Sequence, residues 1–193
     1  APAKPYLQKI RAAKTINDLA ALFAMVGMPS PVGGGVGPDR GDPNTNIVYF
    51  GLGGLGLPTR DNYLVDNPRN QEMRAKYTAY LAFLLGKAGY EDAAERAKSL
   101  YELERKMAET EWGPALARNP DLTTRYVSKA DLIAMAGDFP MERFLAGEGY
   151  ANQPRLLATR IPPTAEIIKA QGLTPAMVAK IRGGLPARRE LIA

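Results

Sequence analysis

The chain contains neither cysteine nor histidine among its 193 residues. Because cysteine is missing, disulfides, thiol nucleophiles and cysteine-based zinc sites are excluded. Because histidine is missing, a Ser-His-Asp triad and a helical H-E-x-x-H zinc site are excluded as well. The remaining carboxylates suit calcium or magnesium better than zinc. The sequence therefore predicts no catalytic, cofactor-binding or metal-binding residue in this chain.

Long apolar runs are also missing from the sequence. No stretch approaches the roughly 18 apolar residues of a membrane-spanning helix, so we expect no membrane segment here. The first residues, Ala1–Pro5, contain no basic region followed by an apolar run, so no signal peptide is visible. We interpret both ends of the chain as boundaries set by processing or cloning.

Positive charge is present but is not concentrated. The net charge is +5, yet Lys and Arg are interspersed with Asp and Glu along the predicted helices, whereas a nucleic-acid-binding protein usually collects its cations on one face. The densest basic group, Arg182, Arg188 and Arg189, lies near the C-terminus, and we interpret it as a solvated end. We expect no nucleic-acid partner. The length leaves room for one domain, or for one domain plus an appendage, and the hydrophobic content of 46% is typical of a globular protein. We assign residues 1–193 to a single domain.

The N-terminal part has the pattern of two short helices. Residues 4–13 read as the first, and Thr15 followed by Asp18 predicts a capped start for the second. Apolar residues then recur at helical spacing, which predicts one buried face: Leu19, Leu22, Phe23 and Val26. Gly27 is placed to end this helix.

Residues 28–60 are rich in glycine and proline and contain a β-type run at Asn46–Phe50. Val32–Gly37 is a candidate partner strand, although its glycines weaken it. The residues between them, including Asp39 and Asp42, are typical of a turn, and they lack the ligand spacing of a calcium loop. The predicted fold is therefore mainly α, a helical bundle or set of hairpins, with a small β-hairpin or ribbon near residues 32–50.

Two long helices follow, and the break at Gly89-Tyr90 predicts an antiparallel helical hairpin. The first begins at Pro68, and its predicted apolar stripe is Met73, Tyr77, Tyr80, Leu81 and Leu84. The second runs from about Glu91 to Trp112, and its predicted inner face is Ala93, Ala97, Leu100, Leu103 and Met107. The carboxylates of this helix, Glu102, Glu104, Glu109 and Glu111, are interpreted as a solvated surface rather than as acid/base catalysts.

The C-terminal third has weaker patterns. Residues 113–127 are predicted to be a loop, and Ser128 followed by Asp131 predicts the start of a helix. Pro140 opens a further short helix that ends near Gly147. Residues 155–161 are predicted to be extended, followed by helices near 164–171 and from Thr174, the last ending at Gly183-Gly184.

The run Gly51–Gly56 matches G-x-G-x-x-G and follows a predicted strand. A dinucleotide-binding site is therefore an alternative, but that motif must open directly into a long helix with an acidic residue about 20 positions later. Here Leu57-Pro58-Thr59 reads as a turn. We interpret the glycines as a tight chain reversal between a strand and a helix.

The segment from Gly54 to Leu64 reads G-L-G-L-P-T-R-D-N-Y-L. It resembles the G-L-G-L-P-x-R-D-Y-Y-L segment of the neprilysin and endothelin-converting-enzyme family of zinc metallopeptidases. The upstream segments 12–15, 18–22 and 35–39 resemble the bacterial branch of that family. The positions that carry the resemblance are Gly54, Leu55, Gly56, Leu57, Pro58, Arg60, Asp61 and Tyr63. The chain departs from the family pattern at Asn62, at residues 125–128 and at Pro140-Met141. The similarity is best over residues 5–145 and ends before the tail at 172–193.

The resemblance implies part of a larger enzyme. Members of the family have a catalytic lobe that binds zinc through H-E-x-x-H, and a mainly helical N-terminal lobe that encloses a chamber and limits substrates to peptides. This chain resembles part of the helical lobe. The implied partners are the catalytic lobe of the same polypeptide, which would hold the zinc, and peptide substrates, in a periplasmic or extracellular parent protein. An incomplete lobe also predicts self-association through exposed apolar surface. The alternative is a stand-alone helical interaction module without enzymatic activity.

Overall fold

The computed structural model describes residues 3–161 and 164–180, which fall into two compact units. Unit 1 contains the described residues up to Gly53 and from Trp112 onward, and unit 2 spans Gly54–Glu111. The elements in chain order are α1 Lys4–Ala12, α2 Ile16–Phe23, β1 Val32–Pro38, β2 Asn46–Leu52, α3 Arg60–Leu64, α4 Pro68–Lys87, α5 Ala93–Thr110, α6 Pro114–Ala117, α7 Pro120–Thr123, β3 Thr124–Ser128, α8 Lys129–Ala136, α9 Met141–Gly147, β4 Arg155–Thr159, α10 Ala165–Ala170 and α11 Pro175–Lys180. The prediction of a mainly α fold with a small β element is confirmed.

Unit 1 is built on a four-stranded mixed sheet with strand order β1-β2-β4-β3. The predicted hairpin is confirmed: β1 and β2 are antiparallel, with Val32 opposite Leu52 and Pro38 opposite Asn46. The sheet is nevertheless larger than a hairpin, because β2 also pairs in parallel with β4, and β4 pairs antiparallel with β3. The prediction of a loop throughout 113–127 is wrong over the short helices α6 and α7 and over β3, while the predicted extended segment near 155–161 is confirmed by β4.

One face of this sheet carries the main core of unit 1. Phe50, Leu156 and Ala158 are buried there against Leu132 of α8 and Phe144 of α9. The rings of Phe50 and Phe144 meet edge to face, with centroids 6.2 Å apart, an arrangement that aromatic quadrupoles favour. A smaller cluster contains Trp112 and Leu122, which are both buried.

The helix starts in unit 1 follow the predicted caps. The Thr15 hydroxyl accepts a hydrogen bond from the Asp18 backbone N–H, and Ser128 does the same for Asp131. The predicted stripe of α2 is wrong at both ends, because Leu19 is exposed and Val26 is 97% exposed. The helix stops at Phe23, before the predicted end at Gly27.

Unit 2 consists of α3 and the predicted helical hairpin of α4 and α5. The hairpin is confirmed, since Gly86 lies beside Ala93 near the connection and Tyr77 reaches Glu104 farther along. The predicted stripes are only partly correct. Tyr80 is 56% exposed, and Leu84 and Leu103 are also exposed. Only the strip of each helix that faces α3 or the other long helix is covered within this unit.

Some predictions are not settled by the fold. Within the described residues, no helix is both long and apolar enough to cross a membrane. Arg182, Arg188, Arg189 and the predicted helix end at Gly183-Gly184 lie outside the described residues. A single domain over residues 1–193 stays a prediction.

Candidate functional site

The predicted signature segment begins as a loop and ends as α3. Gly54 has a φ of +83°, a left-handed conformation that glycine adopts without steric cost. The dinucleotide motif requires its loop to open directly into a long helix. Here α3 begins only at Arg60 and has five residues, so the segment lacks the geometry of that motif. The tight chain reversal stays a prediction.

A buried carboxylate, Glu104 of α5, organises this segment. Its Oε2 accepts hydrogen bonds from the hydroxyl of Tyr63 at 2.6 Å and from the backbone N–H of Gly56 at 3.4 Å. The Tyr77 hydroxyl of α4 donates to the same carboxylate, 2.9 Å from Oε1. Glu104 is only 7% exposed, so its interpretation as part of a solvated surface is wrong. The carboxylate joins the signature loop, α3, α4 and α5 at one point.

The two tyrosines remain hydrogen-bond donors over a wide pH range. Burial raises the pKa of Tyr63 far above its usual value, and the hydrogen bond to Glu104 raises it further. The same causes, in the same order, raise the pKa of Tyr77. A protonated hydroxyl beside a carboxylate gives a charge-assisted hydrogen bond, which is stronger than a neutral one. The arrangement therefore holds α3, α4 and α5 together through hydrogen bonds.

The Tyr63 side chain also holds the loop from within. Its hydroxyl accepts a hydrogen bond from the Leu57 backbone N–H at 2.8 Å. Its ring stacks on Tyr101 of α5, with centroids 5.8 Å apart. Leu55 and Leu57 pack in the same cluster. These two leucines and Tyr63 are thus the inward-facing part of the predicted signature.

The other signature residues lie nearer the surface. Arg60 Nη1 is 3.2 Å from Asp61 Oδ1, and both side chains are partly exposed. Gly54 and Pro58 are exposed. Arg74 of α4 holds the end of the segment, because its guanidinium donates a hydrogen bond to the Tyr63 carbonyl at 2.8 Å. A structural role for all eight signature positions stays a prediction.

Asn62, where the family pattern has tyrosine, has a local function. Its side-chain oxygen accepts a hydrogen bond from the Thr59 backbone N–H at 3.0 Å, which completes the first turn of α3. Its amide nitrogen donates to Asn70 at 3.3 Å. Asn70 in turn donates to the carbonyls of Asp61 and Val65. The side-chain amides of Asn62 and Asn70 therefore join α3 to the start of α4 by hydrogen bonds.

A second polar cluster lies in unit 1 around Asp39. This carboxylate accepts hydrogen bonds from the Tyr126 hydroxyl of β3, from Arg155 Nη2 of β4 at 2.8 Å and from the Gly41 backbone N–H at 2.8 Å. The hydrogen bond from Tyr126, followed by that from Gly41, holds the pKa of Asp39 below its usual value. Asp39 is a turn residue as predicted, but it is buried and ties the β1–β2 turn to two other strands.

Asp42, the other predicted turn carboxylate, stays within the turn, where it accepts from the Asn44 backbone N–H at 3.1 Å. The described residues contain no group of three or more His, Cys, Asp or Glu side chains that could hold a metal ion. The chain has no histidine or cysteine, so its residues do not fit a zinc centre of the usual type.

Solved structures share this fold over almost the whole chain. The Mycobacterium tuberculosis zinc metalloprotease Zmp1, in complex with an inhibitor, is 20% identical with a TM-score of 0.72, covering 99% of this chain and 29% of that one. Zmp1 in its open state is 22% identical with a TM-score of 0.74, covering 98% of this chain and 30% of that one. PepO from Lactobacillus rhamnosis HN001 is 17% identical with a TM-score of 0.59, covering 98% and 30%.

This chain thus spans only about 30% of the length of those solved structures. A search of curated proteins found no match. The model of peptidase family M13, in its N-terminal region, matches residues 1–172.

Proposed function

We propose that this chain, which belongs to peptidase family M13, forms part of the non-catalytic lid lobe of a zinc metalloendopeptidase that hydrolyses peptides. The family predicted from the segment Gly54–Leu64 is confirmed by the match over residues 1–172. That match carries the proposal. It is supported by the small share, 29–30%, of the solved relatives that the chain covers.

The proposed role is steric and structural. The chain has no histidine, so the H-E-x-x-H ligands and the general base of such an enzyme belong to the part of the parent polypeptide outside this chain. The lobe would form walls of the substrate chamber and pack against the catalytic lobe. Exclusion of large substrates by such walls is selectivity by shape rather than by chemistry. From the resemblance to the bacterial branch, we place the parent protein in the periplasm or outside the cell.

The test is a peptidase assay on the purified chain with a mixture of fluorogenic peptides, with and without added zinc. We expect no hydrolysis from the chain and chelator-sensitive hydrolysis from the parent protein. The parent with the glutamate of its H-E-x-x-H replaced by glutamine is the inactive control. Chelator-sensitive cleavage by the chain alone would overturn the proposal.

Exposed apolar side chains on α4 support a docking surface for the rest of the parent protein. Tyr80, Phe83 and Leu84 are 56%, 58% and 42% exposed. Without its partner lobe, the chain should associate through this surface as its concentration rises, which sedimentation velocity would detect. Replacing Tyr80 and Phe83 with serine should abolish the association, and Tyr6→Ser, at an exposed aromatic on α1, should not. A chain that stays monomeric at every concentration would favour the alternative, a self-sufficient interaction module.

A further inference from the structure

Strand β1 is an outer strand of the sheet, and no strand among the described residues pairs with its outer edge. Its hydrogen bonds to β2 can be assigned from both ends, since Gly53 N–H donates to Pro31 C=O at 3.0 Å and Asp39 N–H donates to Thr45 C=O at 2.8 Å. In an antiparallel pair, bonded and non-bonded positions alternate. The backbone groups of Gly33 and Gly35 therefore point toward β2, and those of Gly34 and Val36 point away from the sheet.

The outward groups of β1 form a bounded window. At one end the Val32 N–H donates to Ser30 Oγ at 3.4 Å, and at the other the Pro38 carbonyl accepts from the Tyr49 hydroxyl at 2.7 Å. Between them, within the described part of the chain, no residue bonds the outward N–H and C=O of Gly34 or Val36. Gly34 and Val36 are two positions apart, which is the spacing at which successive residues of a paired strand form hydrogen bonds.

The surroundings of this window leave room for a second backbone. Gly34, Gly35 and Val36 are exposed, and an added methyl group on Gly33 or Gly35 would meet nothing. A cleft of about 470 Å³ is lined by Gly33–Gly35 of β1, by Gly51 of β2 and Thr159 of β4, and by Phe23 and Glu148. Glycine in a strand is typical of places where another backbone approaches closely.

Glu148 supplies the cleft with a charge that needs a partner. Among the described residues it has neither an ion pair nor a hydrogen bond through its side chain, and it is only partly exposed. Burial raises its pKa, which is the expected response of a carboxylate that lacks a cation. A lysine or arginine side chain brought into the cleft would satisfy it.

We infer that β1 binds an extended peptide segment by strand addition, with a basic side chain of that segment paired to Glu148. Backbone hydrogen bonds to Gly34 and Val36 would supply affinity, and the cation would supply specificity, as in other edge-strand recognition. An exposed strand edge is otherwise a site of uncontrolled pairing. This inference goes beyond the lid role and does not depend on it, because it concerns binding by this chain alone.

The test uses a blocked heptapeptide of alternating threonine and valine with a central lysine, titrated into the chain and followed by NMR. We expect slower hydrogen exchange at the amides of Gly34 and Val36. The amides of Gly33 and Gly35, already bonded to β2, are internal controls and should not change. A peptide N-methylated on every residue has no backbone N–H to donate and should not bind. Equal binding of the methylated peptide would overturn the inference, and so would no binding of the parent peptide at millimolar concentration.

Two variants test the edge and the charge separately. Val36→Pro removes an N–H that points away from the sheet. Proline already occupies the next outward-pointing position, Pro38, so the strand should tolerate the change. Binding should weaken at least about tenfold in Val36→Pro and stay unchanged in Val36→Thr. Glu148→Gln should weaken the lysine peptide about tenfold and leave a norleucine peptide unchanged. If Val36→Pro binds normally, or if Glu148→Gln affects both peptides equally, the inference fails. Neither result bears on the peptidase assay.

Discussion

The hydroxyl of Tyr77 occupies the space that a side chain on Gly56 would need. A methyl group at Gly56 would overlap the Tyr77 oxygen and press on the ring behind it. The ring cannot easily withdraw, because its hydroxyl donates to both oxygens of Glu104, at 2.9 and 3.0 Å. The signature glycine is therefore required by close approach rather than by an unusual backbone angle.

Gly56→Ala should lower the free energy of unfolding by about 1–3 kcal/mol, since overpacking a fixed neighbour has costs of that size. Urea denaturation measures it. Gly86→Ala is the control in the same unit, because an added methyl group there makes ordinary contact with Ala93. That change in a helix should stabilise by about 0.5–1 kcal/mol. Equal effects of the two substitutions would contradict the packing argument.

Glu104→Gln should destabilise the chain although its shape is preserved. The carboxylate accepts from two hydroxyls and one amide, so an NH₂ group in its place would face donors. Loss of charge-assisted hydrogen bonds in a buried site costs about 2–4 kcal/mol. Glu102→Gln, at an exposed position of the same helix, should change stability by less than about 0.5 kcal/mol. An unchanged denaturation midpoint for Glu104→Gln would refute the cluster's structural role.

The raised pKa values of Tyr63 and Tyr77 predict a loss of stability in alkali. The unfolded tyrosines release protons near pH 10 and the folded ones at higher pH, so the stabilisation is full below about pH 10 and falls above it. Tyr63 is buried and Tyr77 is partly buried, and each contributes a slope of up to about 1.4 kcal/mol per pH unit. Chemical denaturation at neutral and alkaline pH measures this fall in the free energy of unfolding. The fall should be smaller in Tyr77→Phe than in the unmodified chain, and the same in Tyr6→Phe as in the unmodified chain.

Asp39→Asn should loosen the β1–β2 turn. It weakens the contacts to Tyr126 and Arg155 that join the turn to β3 and β4, so the Gly41 amide should exchange faster with solvent. Asp42→Asn keeps an acceptor for Asn44 and should leave that amide unchanged. Since the pKa of Asp39 is lowered on folding, its stabilisation is present above about pH 4 and is lost as the pH falls through its folded value. If the Gly41 amide exchanges at the same rate in both variants, Asp39 is not the residue that holds the turn against β3 and β4.

Local signals in the sequence predicted the local structure well. The caps at Thr15 and Ser128 depend on residues three positions apart. The strands of the hairpin and the helices of the helical pair are joined by short connections whose residues are typical of turns. The alternative reading of Gly51–Gly56 was decided by its immediate neighbours as well. Such features are determined by backbone sterics and short-range hydrogen bonds, so they can be predicted from the local sequence.

The errors concern contacts between distant residues. Glu104 lies among charged neighbours, and its position on the helix does not reveal that two tyrosine hydroxyls converge on it. Asp39 reads as an ordinary turn residue because Arg155 is far along the chain. Tyr80 has the spacing of a core residue, yet no element of unit 2 covers it. Periodicity shows which residues share a face, but not what lies opposite that face.

The parallel pairing of β2 with β4 has a kinetic consequence. Tyr49 pairs with Leu157 and Phe50 with Ala158, and all of unit 2 lies between these strands in the chain. On a ribosome, the central strand β2 therefore emerges long before its neighbour β4, whereas α4 and α5 emerge together and make mostly local contacts. Because non-local pairing is slow, we expect the helical hairpin to fold first and β2 to wait with one edge unpaired. During synthesis, that edge is the part of the molecule most in need of protection from aggregation.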